Sequence, residues 1–137
     1  MKKKLNILLI EDDSIEIMKL NRALLLLKMN HKIIEAHDGE DALNILINKK
    51  KYPDIILLDL NMPKINGVEF LSILKKNVLL KFIPIIILTT SNNKKDILEC
   101  YNIGVSGYII KPLKYNDYVS KIEKIISYWT INLLFNL

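Results

Sequence analysis

Cysteine, glycine and proline are all scarce in this chain. The single cysteine, Cys100, admits no internal disulfide. Four glycines and four prolines in 137 residues exclude collagen-like repeats, flexible linkers and low-complexity disorder. Long hydrophobic runs are missing too. Leu24 to Leu27 and Ile85 to Leu88 are far too short to cross a bilayer, so no membrane partner is expected. The lysine-led N-terminus precedes an apolar stretch that Glu11-Asp12-Asp13 cuts after about six residues, too few for a secretory signal. Histidine is rare: His31 and His37 are isolated, form no metal-ligand pattern and read as surface residues. One thiol and no export signal together predict a cytoplasmic protein.

What is present suits one globular domain. Half of the residues are hydrophobic (50%) and 26% are charged. A chain of this length buries roughly 70% of its unfolded surface without staples. The formal net charge of +5 is mildly basic. Its lysines fall in short clusters, such as Lys49-Lys50-Lys51 and Lys94-Lys95, placed at helix ends and loops where cations are ordinary. No basic recognition helix is visible and no helix-turn-helix fits after Lys124, so no direct nucleic-acid contact is expected.

Five short apolar runs recur, at Leu5 to Ile10, Lys32 to Ala36, Asp54 to Leu58, Ile83 to Leu88 and Gly107 to Ile110. Three are nearly continuous in Ile and Leu, which is how strands covered on both faces read. Each run is followed by a helical segment. Ile17, Leu20, Leu24 and Leu27 mark the first by their three- and four-residue spacing. The others are Asp41 to Ile47, Val68 to Leu74, Asp96 to Tyr101 and Asn116 to Trp129. This alternation predicts an α/β fold: a doubly wound, five-stranded parallel (βα)5 sheet with helices on both faces. Asp38-Gly39 and Asn66-Gly67 supply turn signals, and Pro53 and Pro84 stand where strands begin.

In such a sheet the carboxyl ends of the strands converge on one crevice. Here those ends carry Glu11-Asp12-Asp13, Asp59, Thr89-Thr90 and Lys111. Acids gathered in one place repel unless a cation neutralises them, and oxygen-only donors suit a hard ion such as Mg²⁺. Glu11, Asp12 and Asp13 also suit the start of the first helix, with Asp13 or Ser14 as its cap. That role does not explain Asp59 and Lys111 at the ends of other strands.

Ile7 to Asp13, Asp54 to Pro63, Gly67, Leu88-Thr89-Thr90 and Lys111-Pro112, in this order and spacing, resemble the receiver domain of two-component response regulators. The resemblance runs over a core of about 4–126 within a single domain of 1–137, leaving an apolar C-terminal extension at 127–137. Leu88-Thr89-Thr90-Ser91 and Tyr128-Trp129 are most similar to stand-alone, phytochrome-linked receivers. The resemblance implies the flavodoxin-like, CheY-like strand order 2-1-3-4-5. It implies Asp59 as phosphoacceptor, and Asp12, Asp59 and the Asn61 carbonyl as Mg²⁺ ligands, with Glu11 acting mainly through water. Lys111 would pair with a phosphoryl oxygen, across a cis bond to Pro112. Thr89 would donate its hydroxyl, and Tyr108 would switch rotamer with it. Asn61 and Ser91 would tune the phosphate's lifetime.

The implied partner is a sensor histidine kinase or a phosphotransfer protein. The implied chemistry is self-phosphorylation and slow self-dephosphorylation rather than enzymatic turnover. With no effector domain following, output is expected through protein contacts. Tyr118, Ile122, Ile125, Trp129 and Leu133 fall at helical spacing. This predicts an apolar stripe by which the C-terminal tail and the fifth strand–fifth helix face form a homodimer. The alternative is a haloacid-dehalogenase-type magnesium phosphatase. That class needs its nucleophile motif first and an acid two residues later, whereas here the acidic pair comes first and Asn61 holds that position.

Overall fold

Alternate side chains of each central strand enter two separate cores, which is why the runs are continuous in Ile and Leu. The computed structural model describes residues 4–62 and 64–135. Strands β1 (Asn6–Ile10), β2 (Lys32–Ala36), β3 (Ile55–Leu58), β4 (Ile85–Thr89) and β5 (Gly107–Ile110) form one parallel sheet in the order β2-β1-β3-β4-β5. Between and after them lie α1 (Ser14–Leu26), α2 (Gly39–Leu43), α3 (Gly67–Lys76), α4 (Lys94–Ile103) and α5 (Tyr115–Thr130). A π-helical turn, Asn44–Asn48, prolongs α2.

Leu8, Ile10, Ile56, Leu58 and Ile87 face one core, closed by Leu46 from the π-helical turn and Phe70, Leu74 and Cys100 from α3 and α4. Ile7, Leu9, Ile55, Leu57 and Leu88 face the other, closed by Leu20, Leu24, Ile122 and Ile126 from α1 and α5. Full burial of each such side chain is worth about 1.5–3 kcal/mol, so register on both faces is strongly specified. Cys100 is a buried packing residue of the first core.

Polar residues just before the helices act as caps. The Asp13 carboxylate accepts the Ile15 N–H at 2.9 Å, Asp38 accepts that of Asp41 at 2.7 Å and Asn66 that of Glu69 at 2.9 Å. Gly67 is required by contact rather than by dihedral angle: a Cβ there would lie 2.6 Å from Leu60 Cα.

Two expectations are corrected. The Lys111–Pro112 bond is not cis, since no cis peptide occurs among the described residues; trans is the lower-energy isomer of X–Pro. The apolar stripe also stops earlier than its spacing suggests. The Asn132 amide donates to the Tyr128 carbonyl at 2.6 Å and the Thr130 hydroxyl to that of Ser127 at 2.8 Å, satisfying the last carbonyls as α5 ends. Tyr118, Ile122 and Ile125 are buried and Trp129 packs against the core, but Leu133 is fully exposed. Leu134 packs inward instead, and the Phe135 ring lies 4.9 Å from that of Phe82. Residues 1–3, Pro63, Asn136 and Leu137 lie outside the described residues. Among the described residues no helix is long and apolar enough to cross a membrane.

Candidate functional site

Parallel strands deliver their carboxyl ends to one edge of the sheet, and the order changes direction between β1 and β3, the place at which open α/β sheets bind ligands. Ladder bonds running just past the strands pin the residues there. The Glu11 N–H donates to the Ala36 carbonyl at 3.0 Å, Asp59 to Ile10 at 3.1 Å and Lys111 to Thr89 at 2.8 Å.

Glu11, Asp12 and Asp59 each present a carboxylate oxygen, and these oxygens lie within 4.8 Å of one another. Burial is graded: Glu11 is buried, Asp59 half-buried and Asp12 exposed. One cation stands among them. Lys111 Nζ donates to Glu11 Oε1 at 2.7 Å and lies 3.9 Å from Asp59 Oδ2. The Asn61 N–H donates to Asp59 Oδ1 at 3.3 Å, so the two oxygens of Asp59 face different neighbours.

The electrostatics follow from several anions around one ammonium. Burial pushes the Glu11 carboxyl up to about 7, against the opposing pull of Lys111, and the charge of Asp59 adds to the rise. Burial alone would lower the Lys111 ammonium, but its bond to Glu11 and the charges of Asp59, Glu11 and Glu16 hold it above the ordinary lysine value. The lysine therefore stays charged, and acidic groups outnumber it at this edge. That excess, presented entirely by oxygen donors, fits a hard divalent cation.

Thr89 is fully buried at the end of β4, and its Oγ1 accepts the Ser91 N–H at 3.4 Å. Tyr108, half-buried on β5, donates its hydroxyl to the Ser91 carbonyl at 2.8 Å. The sequence-predicted residues thus gather at one edge of the sheet: Glu11, Asp12, Asp59 and Lys111 in direct juxtaposition, Asn61 through its backbone, and Thr89 and Tyr108 joined at Ser91. Two residues were missed. Glu16 Oε2 lies 3.6 Å from Lys111 Nζ, although in sequence it reads only as a helix-start acid. His31, read as a surface residue, accepts the Leu5 N–H on Nδ1 at 2.9 Å.

Comparison with known proteins agrees with this geometry. The response regulator receiver domain family matches residues 7–123. The chain is 35% identical over 128 residues to response regulator Rcp1 of Synechocystis, covering 90% of this chain and 87% of that protein. It is 37% identical over 127 residues to a probable methanogenesis regulatory protein, FilR2, of Methanothrix harundinacea, covering 90% and 82%. The crystal structure of the phosphorylated cyanobacterial phytochrome response regulator RcpA superposes with a TM-score of 0.90 at 31% identity, covering 98% of this chain and 100% of that one. The Mn²⁺-bound form of Rcp1 superposes at 0.87 with 32% identity, covering 97% and 99%.

Proposed function

The chain belongs to the response regulator receiver family, and on that premise we propose that Asp59 accepts a phosphoryl group from a phosphohistidine of a sensor histidine kinase or phosphotransfer protein. One observation carries this reading: the Glu11, Asp12 and Asp59 oxygens converge within 4.8 Å beside Lys111. A carboxylate oxygen of Asp59 attacks phosphorus as the P–N bond breaks, and the imidazole leaves with the bonding pair and takes up a proton. The product is an aspartyl phosphate, which water later hydrolyses to restore Asp59 and inorganic phosphate.

Asp12, Asp59 and the Asn61 carbonyl would hold Mg²⁺, with Glu11 behind them. Bound there, the ion supplies charge neutralisation between two anions that otherwise repel. The protein's own residues do the rest. Lys111 offers its ammonium to a phosphoryl oxygen as a point charge, and Thr89 its hydroxyl to another. Capture of Thr89 would draw on the loop that Ser91 ties to Tyr108, carrying the change toward β5 and α4. The chain is then a phosphorylation switch acting as one receiver unit, with turnover limited to its own acyl phosphate. Exposed Tyr128 on α5, with exposed Ile131 and Leu133 after it, supports a homodimer through this face and the tail.

The test is incubation with Mg²⁺ and an acyl phosphate donor, read by mass spectrometry. One hydroxylamine-labile phosphoryl group should appear, and Asp59→Asn should remove it. Incorporation into Asp59→Asn at the wild-type rate would overturn the assignment.

A further inference from the structure

Lys111 is nearly buried, and an ammonium in that position cannot be left without an anion. Its hydrogen bond goes to Glu11, a member of the carboxylate group that a divalent cation would engage. A metal drawn to those oxygens competes directly with the lysine. Another carboxylate lies within reach, outside the metal-competent group: Glu16 Oε2, at 3.6 Å from Nζ.

Glu16 stands in the first turn of α1, where an acid ordinarily serves the helix dipole or bonds back to the capping residue. It does not do the latter here, because the Asp13 N–H goes to Glu11 Oε2 at 3.4 Å. Glu16 Oε2 is instead buried and makes no hydrogen bond among the described residues. It is held from behind by Lys19, 3.5 Å away on the same helix. The Lys19 ammonium in turn sits 4.8 Å above the ring of Tyr118 on α5. An unsatisfied buried carboxylate oxygen is costly unless a partner closes on it. An ammonium has three donors, and a short displacement of Lys111 would bring one of them onto Oε2.

The geometry points to Glu16 as a positioning residue, a standby counter-ion that receives Lys111 when a divalent cation engages Glu11, Asp12 and Asp59. This rests on the receiver reading above. Glu16 lowers the cost of separating Glu11 from Lys111, and keeps the ammonium at the pocket rather than leaving it unpaired.

The experiment is a calorimetric titration of the full chain with Mg²⁺ alone, comparing wild type with Glu16→Gln, Glu16→Asp and Lys111→Met, and the last combined with Glu16→Gln. Glu16→Gln should weaken Mg²⁺ binding roughly fivefold, the low end of coupling between sites. In the Lys111→Met background the same change should cost less than about twofold, because the effect travels through the lysine. Glu16→Asp keeps the charge but shortens the reach, so it should behave like Glu16→Gln, and this comparison holds even if Lys111→Met does not fold. Equal weakening in both backgrounds, wild-type behaviour of Glu16→Asp, or no weakening in Glu16→Gln would overturn the proposal. Wild type that binds no Mg²⁺ or takes no phosphate on Asp59 would instead overturn the reading of Asp59 as a magnesium-dependent phosphoacceptor, and this proposal with it.

Discussion

The Tyr108 hydroxyl donates to the Ser91 carbonyl across 2.8 Å, tying β5 to the loop that enters α4. Ser91 is a node: its own hydroxyl donates to Asp96 at 2.8 Å, and its N–H reaches Thr89 Oγ1 at 3.4 Å. Burial raises the Tyr108 phenol's pKa, so the group stays a donor throughout the neutral range.

Replacing Tyr108 with Phe removes this tie and leaves a carbonyl unpaired. Stability should fall by about 1 kcal/mol, the net worth of one hydrogen bond. Amide exchange at Ser91 to Asn93 should speed up. Denaturant melts and exchange read by NMR check it, and unchanged exchange in that loop would show that the bond restrains nothing.

Mg²⁺ should raise the melting temperature, because the folded chain assembles Glu11, Asp12 and Asp59 and the unfolded chain does not. At a hundredfold excess over Kd the gain is about 2.7 kcal/mol. Asp12→Ala should lose most of that shift, while its metal-free form is no less stable than wild type, since a repelling charge is gone. Scanning fluorimetry with and without Mg²⁺ measures both.

His31 links stability to acidity. Burial, with a smaller contribution from Lys4, lowers its pKa, and Nδ1 must be unprotonated to accept the Leu5 N–H. A depressed folded-state pKa makes the contribution fully present above the unfolded value of about 6.5. It is lost as pH falls through the folded value. The His31 contribution, read as the difference in melting temperature between wild type and His31→Phe, should therefore shrink on acidification through this window, while Glu11, raised to about 7, acts in the opposite direction in both proteins.

Gly67→Ala would place a Cβ 2.6 Å from Leu60 Cα and 2.9 Å from Leu60 Cδ2. The backbone contact cannot yield by a rotamer change, so a loss of about 1–3 kcal/mol is expected. The β3–α3 loop carrying Asn61 should shift with it. Urea melts give the first quantity, and slowed phosphorylation of Asp59 reports the second.

Ending the chain at Thr130 would remove exposed Ile131 and Leu133 together with the inward Leu134. Sedimentation at micromolar concentration should show a dimer for the full chain and a monomer for the shortened one. A monomeric full chain, with and without phosphodonor, would leave the tail as a cover for its own domain.

Amino-acid sequence alone determined the five strands within a residue or two, their parallel arrangement and the edge at which the chemistry sits, whereas the strand order came with the family resemblance. These follow from period and patterning, because strands buried on both faces must be apolar throughout and their carboxyl ends then carry the polar residues. Asp59 and Lys111 were legible since a charge directly after an apolar strand has few other uses. Pairing was not. Glu16 and Lys111 are far apart in sequence, and no local pattern reports that a helix-start acid turns toward a strand end. The hydrogen bond of His31 was not legible either, because its partner Leu5 lies 26 positions away. The tail depended on side chains of Thr130 and Asn132 capturing the last carbonyls of α5, which ended the stripe before Leu133 and turned Leu134 inward. Local periodicity specifies which face of an element is apolar; only the packed structure decides which buried polar atoms meet, because that depends on distances between elements the sequence does not encode locally.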